Sequence, residues 1–187
     1  MWSRKKKTPP SPEQNDFTQI TLNELDLGFH SDVGAPCPAI ISDELHLRLL
    51  FYIQPPRDPN WDGATIHIRD TTADNGVALL SFDLFNAYYF GMPNDEAISG
   101  HRYYRKGLQA YSQYEVLNSE WIQAQEKMNR VHPHHSPESF SAQRHFIFTF
   151  HDSCCEIIAR KFSWEILDCS LKDALAKALL DMHRSTS

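Results

Sequence analysis

Residues 144–166 read RHFIFTFHDSCCEIIARKFSWEI, and this stretch limits the fold more than any other. Aromatic and β-branched residues alternate with polar ones, Asp152-Ser153 interrupts, and the alternation then resumes. The pattern describes two antiparallel strands joined by a tight turn. With Phe150 opposite Cys155, side-chain alternation puts Phe146, Phe148, Phe150, Cys155, Ile157 and Ala159 on one face. That face is apolar throughout and must be core. His145, Thr149, His151, Cys154, Glu156 and Arg160 take the other face, with Ile147 and Ile158 among them. Thr149 then faces Glu156, and His151 lies about one pair further along, near enough for an acid–base pair with Glu156.

The remaining chain supplies partners for that strand pair. Residues 46–53 alternate, with Leu47, Leu49, Phe51 and Ile53 on one side and His46, Arg48 and Tyr52 on the other. Shorter strands are expected at 18–22, 64–69 and 111–116, and Asp74-Asn75-Gly76 predicts a hairpin turn into a strand over 77–85. Asn118 or Ser119 caps a helix reaching about Arg130. Ser136-Pro137-Glu138 opens a short second helix. Ser170-Leu171-Lys172-Asp173 opens a C-terminal helix whose stripe is Leu171, Ala174, Leu175, Ala178, Leu179 and Met182. Residues 88–108, with Gly91, Pro93, Gly100 and Gly107 among several tyrosines, fit neither period and read as a long loop. The fold expected is α+β: a mostly antiparallel sheet of about six or seven strands packed by two or three helices, including that amphipathic one.

A chain of 187 residues suits one domain with its own hydrophobic core. Residues 1–16 are basic, then Pro-rich and polar, and read as a flexible tail, which leaves 17–187 as the globular unit. Arg4, Lys5, Lys6 and Lys7 mask the acidity of the body: residues 16–187 carry 14 basic and 23 acidic side chains. A body of net charge −9 argues against nucleic acid as main partner and suits a basic protein instead. No apolar run is long enough to span a membrane, and no apolar segment comes after the basic start. Cys37, Cys154, Cys155 and Cys169 show no zinc spacing, and the adjacent pair points to opposite faces of a strand. A cytoplasmic protein with reduced thiols is expected.

The candidate catalytic residues are His151, Asp152 and Glu156. A thiol nucleophile at Cys154 or Cys155 lacks a third partner, and Cys155 faces the core. The candidate metal ligands are His151, His101 and His132, since imidazole with carboxylate suits zinc or another divalent ion, although no cofactor is required. His145 stands too far along the strand to join His151, roughly 20 Å for six residues at about 3.3 Å each. His132, His134 and His135 cluster beside Pro133 and fit a loop between helices. Trp121 fits a core position. A hydrogen-bonded turn at His151-Asp152-Ser153 needs no chemistry at all.

Asn118-Ser119-Glu120-Trp121-Ile122, Met128-Asn129, Val131-His132-Pro133 and the run from His145 to Ser153, with Glu156 and Ala159, form one pattern. Together with Gly91 to Ala97, Gly100-His101 and Gly107-Leu108, it resembles an uncharacterised family of small bacterial proteins. The resemblance covers roughly residues 88–160 and is most specific at the His-Asp-Ser turn, where Cys154-Cys155 replaces the Thr and aromatic expected next. It implies a bacterial origin and no particular activity. The acidic body, the aromatic sheet and the candidate residues above lead to two expected functions. The first is a non-enzymatic protein-interaction domain of the immunity or accessory kind. The second is a metal-dependent or acid–base enzyme using the His/Asp/Glu cluster.

Overall fold

The computed structural model describes residues 20–54 and 76–184. The tail over 1–16 and the strand expected at 64–69 lie outside the described residues. In chain order the strands are β1 (Thr21–Glu24), β2 (Ala39–Ser42), β3 (His46–Tyr52), β4 (Val77–Asp83), β5 (Ala87–Gly91), β6 (Gln113–Leu117), β7 (Arg144–Thr149), β8 (Cys154–Ala159) and β9 (Ser163–Leu167). The helices are α1 (Glu120–Asn129), α2 (Pro137–Ser141) and α3 (Leu171–Arg184). The class is α+β with antiparallel pairing, as expected, but the strands form two sheets instead of one and outnumber the expectation. One sheet runs β1-β6-β7-β8-β5 and the other β2-β3-β4-β9.

Two sheets arise because two apolar strand faces cover each other better than any helix here could. Phe146, Phe148, Phe150, Cys155, Ile157 and Ala159 meet Leu47, Leu49, Phe51, Ala78, Leu80 and Phe82 in the central core. Phe51 and Phe150 pack edge to face at 5.0 Å, and Phe82 stacks on Phe162 at the same separation. The β7–β8 faces are therefore those expected, but the register differs by two. Phe148 stands opposite Cys155, and Phe150 N–H donates to Ser153 O at 2.8 Å to close a tighter turn. A slip of two keeps every side chain on its face and changes its neighbours. Ile147, not Thr149, lies opposite Glu156.

The outer face of the four-stranded sheet is covered by α3, whose Ala174 and Ala178 pack on Leu50, Tyr52, Val77 and Leu79. Residues 47–52 are thus buried on both sides, so their polar–apolar alternation is incomplete. The helix starts as its sequence predicts: Asp173 N–H donates to Ser170 Oγ at 3.2 Å, and that hydroxyl donates to Asp173 Oδ2 at 2.7 Å. Leu179, at the rim of the expected stripe, is exposed.

The outer face of the five-stranded sheet is covered by much of the segment expected to be a long loop. After β5 the chain crosses this face in two 3-10 turns, Ile98–Gly100 and Tyr104–Lys106. Tyr103 and Leu108 pack there on Tyr114, Val116 and Ile147. Helix α1 comes next, capped by Ser119, whose Oγ accepts from Ile122 N–H at 3.3 Å. These two pieces place polar side chains over β7 and β8.

Candidate functional site

At the centre of that covered face lies Glu156, 2% exposed, on an interior strand. Three donors reach its carboxylate. His145 Nε2 is 2.9 Å from Oε2, His101 Nε2 is 3.4 Å from Oε1, and the Arg102 guanidinium pairs with Oε2. His101 Nδ1 accepts Tyr103 N–H at 3.2 Å, so its ring proton sits on Nε2 and is donated to Glu156. Burial, the largest influence, opposes ionisation of Glu156. The hydrogen bonds from His101 and His145 and the charge of Arg102 outweigh it and hold the carboxyl down at about 2. A group this acidic is a fixed anion and a poor general base near neutrality.

The network extends to α1. His145, fully buried, has its Nδ1 2.8 Å from Ser119 Oγ. Ser119, His145 and Glu156 have the residue types of a nucleophilic triad, but the serine is buried and its oxygen already caps the helix. Trp121 stands edge-on to the His145 ring at 5.2 Å. The arrangement ties the 98–108 turns, α1 and the sheet to one carboxylate. Over it opens a cavity of about 660 Å³ whose lining includes Tyr89, Met92, Arg102, Glu120, Trp121 and Glu156.

His151 belongs to a different cluster, which corrects the expected pairing with Glu156. Its Nδ1 lies 3.0 Å from Asp95 Oδ2 and 2.8 Å from Tyr111 Oη, and Tyr111 O–H also donates to Asp95. Tyr111 holds this position from a left-handed backbone conformation, φ 57°, which is uncommon for a bulky residue. The bond to Asp95, then its charge, raises the His151 pKa above the ordinary 6.5. Asp152 is exposed on the turn and its charge acts on His151 only as a minor influence.

The expected metal ligands do not converge. His101 points at Glu156, His151 at Asp95, and His132 lines a separate cavity of about 320 Å³ with His134 and Arg160. Among the described residues no three His, Cys, Asp or Glu side chains are grouped as a metal ion would need. His135 bridges Asn129 and Glu126 at 3.1 and 3.0 Å, the loop role expected for that cluster. Burial, then the Glu156 charge, pushes the Cys154 thiol up to about 12, and Cys155 rises for the same reasons. Neither is a nucleophile near neutral pH.

A second surface lies where the sandwich opens. Residues 84–86 carry the chain from β4 to β5, and 160–162 carry it from β8 to β9. The edge strands β5 and β9 therefore share one side of the molecule. Register assigns their faces: Tyr88 and Phe90 pair with Ile157 and Cys155, and Trp164 and Ile166 pair with Leu80 and Ala78. All four project toward the space between the sheets, yet each remains 40–47% exposed. The result is an apolar seam, and among the described residues no further strand pairs with either rim. Sequence reasoning missed it, although the Tyr88-Tyr89-Phe90 run was its visible trace. It also missed Arg102 and Tyr111, which nothing in the local sequence distinguishes. No family model matches this chain, and no curated protein or solved structure is found to match it.

Proposed function

We propose that this chain is a non-enzymatic protein-interaction domain that docks a partner along the seam between β5 and β9. The observation that carries this reading is the exposure of Tyr88, Phe90, Trp164 and Ile166 on neighbouring sheet edges. Long apolar edge strands invite pairing with another chain and are normally blunted by charge, proline or cover. At the opposite edge, β1 offers Thr21, Asn23 and Glu24 instead. A partner strand seated here would gain main-chain hydrogen bonds and bury aromatic anchors, which dominate interface energies. The excess of acidic groups favours a basic partner, and four free thiols support a cytoplasmic setting.

The test compares the full chain with a Phe90→Lys/Trp164→Lys variant, each immobilised and exposed to extract of the source cells. A partner held by the wild type and released at least tenfold more readily by the variant, with unchanged circular dichroism, supports the reading. Equal retention by both refutes it, as does a wild-type chain that retains nothing and stays monomeric.

A second reading, acid–base chemistry, rests on His151. Asp95 fixes its Nδ1 while the ring is half exposed, the arrangement that frees Nε2 to move a proton.

A further inference from the structure

The cavity of about 320 Å³ that holds His132 belongs neither to the Glu156 network nor to the seam. Two turns form one wall. Asn86 precedes β5 and Arg160 follows β8, and the Asn86 N–H donates to Ile158 O at 2.7 Å, which keeps these two chain segments together. His132 and His134 line it from the loop between α1 and α2, and Asn129 from the end of α1. That loop is held in place: His132 N–H donates to Asn129 O at 2.9 Å, and His135 N–H to His132 O at 3.0 Å.

The lining is rich in donors that have nothing to donate to. The Arg160 guanidinium has no ion pair or hydrogen bond among the described residues. His132 Nδ1 accepts His134 N–H at 3.1 Å, so its ring proton sits on Nε2, which meets no acceptor among the described residues. The Asn86 side-chain amide is likewise unengaged, and Asn129, whose Oδ1 meets the His135 ring, keeps its N–H₂ group. No carboxylate lines the cavity, although the chain has an excess of acidic groups. Glu126 and Glu138, the acids flanking this loop in sequence, are engaged elsewhere. Glu126 binds Arg130 Nη2 at 2.8 Å and the His135 ring at 3.0 Å, and Glu138 accepts the Ser136 hydroxyl at 2.6 Å. A lone surface arginine is simply solvated. Here a guanidinium, an imidazole N–H and two amides share one concavity.

We propose that this cavity binds a phosphate group, either free or carried by a small organic ester. Phosphate presents acceptor oxygens in several directions, so Arg160, His132 Nε2–H and the amides can all bond to it at once. Arginine in particular forms charge-assisted, often bidentate bonds with it. The organic part of an ester would lie against the Phe140 ring, which also lines the cavity. A carboxylate has only two oxygens in one plane and would leave some of these donors unmet. A cation would meet Arg160 and no carboxylate. An apolar ligand would take water from the guanidinium and return nothing.

The test is an NMR titration of the full chain that follows the His132 and His134 ring signals. It is run at about pH 7.5, where phosphate is mostly a dianion, with pH and ionic strength held constant. Inorganic phosphate and glycerol 3-phosphate are expected to move both rings saturably, with acetate at least tenfold weaker. Arg160→Gln and Asn86→Ala, each with unchanged circular dichroism, should weaken phosphate at least tenfold and severalfold respectively. Acetate binding as tightly as phosphate overturns the proposal, as does an unchanged affinity in Arg160→Gln or the absence of any shift by about 10 mM phosphate. Glycerol 3-phosphate binding at least tenfold tighter than phosphate identifies an ester as the occupant, and equal or weaker binding identifies free phosphate. Neither Phe90 nor Trp164 lines this cavity, so failure here and failure at the seam are independent results.

Discussion

Glu156→Gln is the substitution that most directly tests the buried carboxylate, because it removes the charge and keeps the shape. The amide also offers an N–H₂ group to donors that need an acceptor, so one of His145, His101 or Arg102 loses its partner. The carboxyl falls from 4.5 to about 2 in the fold, which corresponds to about 3 kcal/mol favouring the ionised folded state. A second route to the magnitude agrees. Removing one partner of a buried ion pair costs roughly 3–5 kcal/mol. Arg102, 46% exposed at its side chain and still beside Glu120, can turn toward water, which keeps the loss at the lower end. The variant should therefore be less stable by about 3 kcal/mol at pH 7, moving the urea midpoint by about 1.5 M at an m-value of ~2 kcal/mol/M. The sign with pH is definite. A carboxyl with a lowered folded pKa stabilises the fold above its unfolded value near 4.5 and loses that contribution as pH falls toward 2. Glutamine does not titrate. The gap between wild type and variant should hold from pH 7 to about 5 and then narrow, while all other carboxylates cancel in the difference. Urea unfolding followed by tryptophan fluorescence and far-ultraviolet circular dichroism measures it. A gap below about 1 kcal/mol, or one that ignores pH, would show that Glu156 is not the ionised anchor described.

Ser119→Ala removes a helix cap and one partner of the fully buried His145, so a loss of about 2–3 kcal/mol is expected in the same unfolding assay; a loss within a few tenths would separate Ser119 from the network. In native protein, iodoacetamide should modify exposed Cys37 first and Cys169 more slowly, with Cys154 and Cys155 reacting only after unfolding. Peptide mass spectrometry locates the label, and native modification of Cys154 would contradict its burial. Asp95→Asn should bring the His151 titration midpoint, read by NMR, down toward 6.5. Because His151 is raised and Asp95 lowered, their pair stabilises the fold most below the unfolded His value. That contribution fades as pH rises through the raised His151 midpoint, and again as acid protonates Asp95. An unmoved midpoint would remove Asp95 as its cause.

The β7–β8 hairpin was legible because period-two alternation depends only on which residues are apolar. The helix starts at Ser119 and Ser170 were legible because capping is local chemistry, and the one after Ser136 because proline suits the first helical position. What the sequence left open was set by longer-range geometry. A hairpin register depends on turn closure, and the Phe150–Ser153 bond displaced Glu156 by two positions from its expected neighbour without disturbing either face. His145 and Glu156 did carry a trace: two titratable side chains on the same face of neighbouring strands. Their pairing needed the diagonal that the true register supplies. His101 and Arg102 arrive from a segment more than fifty residues upstream of Glu156, and no local pattern encodes that approach. The split into two sheets was hidden for a related reason. Alternation tells a strand which face is buried, and it does not say whether a helix or another sheet does the burying.

The polar knot around Glu156 is an expensive way to fill the outer face of a sheet. Leucine or phenylalanine at 101, 145 and 156 could pack beside Ile147 and Ile158 without desolvating any charge, and such replacements are often neutral or stabilising. What an apolar filling could not do is hold Arg102 at a fixed place. Its guanidinium spans Glu156 below and Glu120 at the cavity wall, so both its position and its charge are used up at the floor. Glu120 is thereby drawn to the same guanidinium, with the buried Tyr103 hydroxyl beside both. The buried network and the open cavity are then one construction: the first fixes the place of the charged groups that line the second. If so, His145→Phe should leave the protein folded yet loosen Arg102, seen by NMR as faster exchange of its guanidinium Nε–H. An unchanged Arg102 signal in a folded His145→Phe protein would mean that His145 has no part in holding the guanidinium.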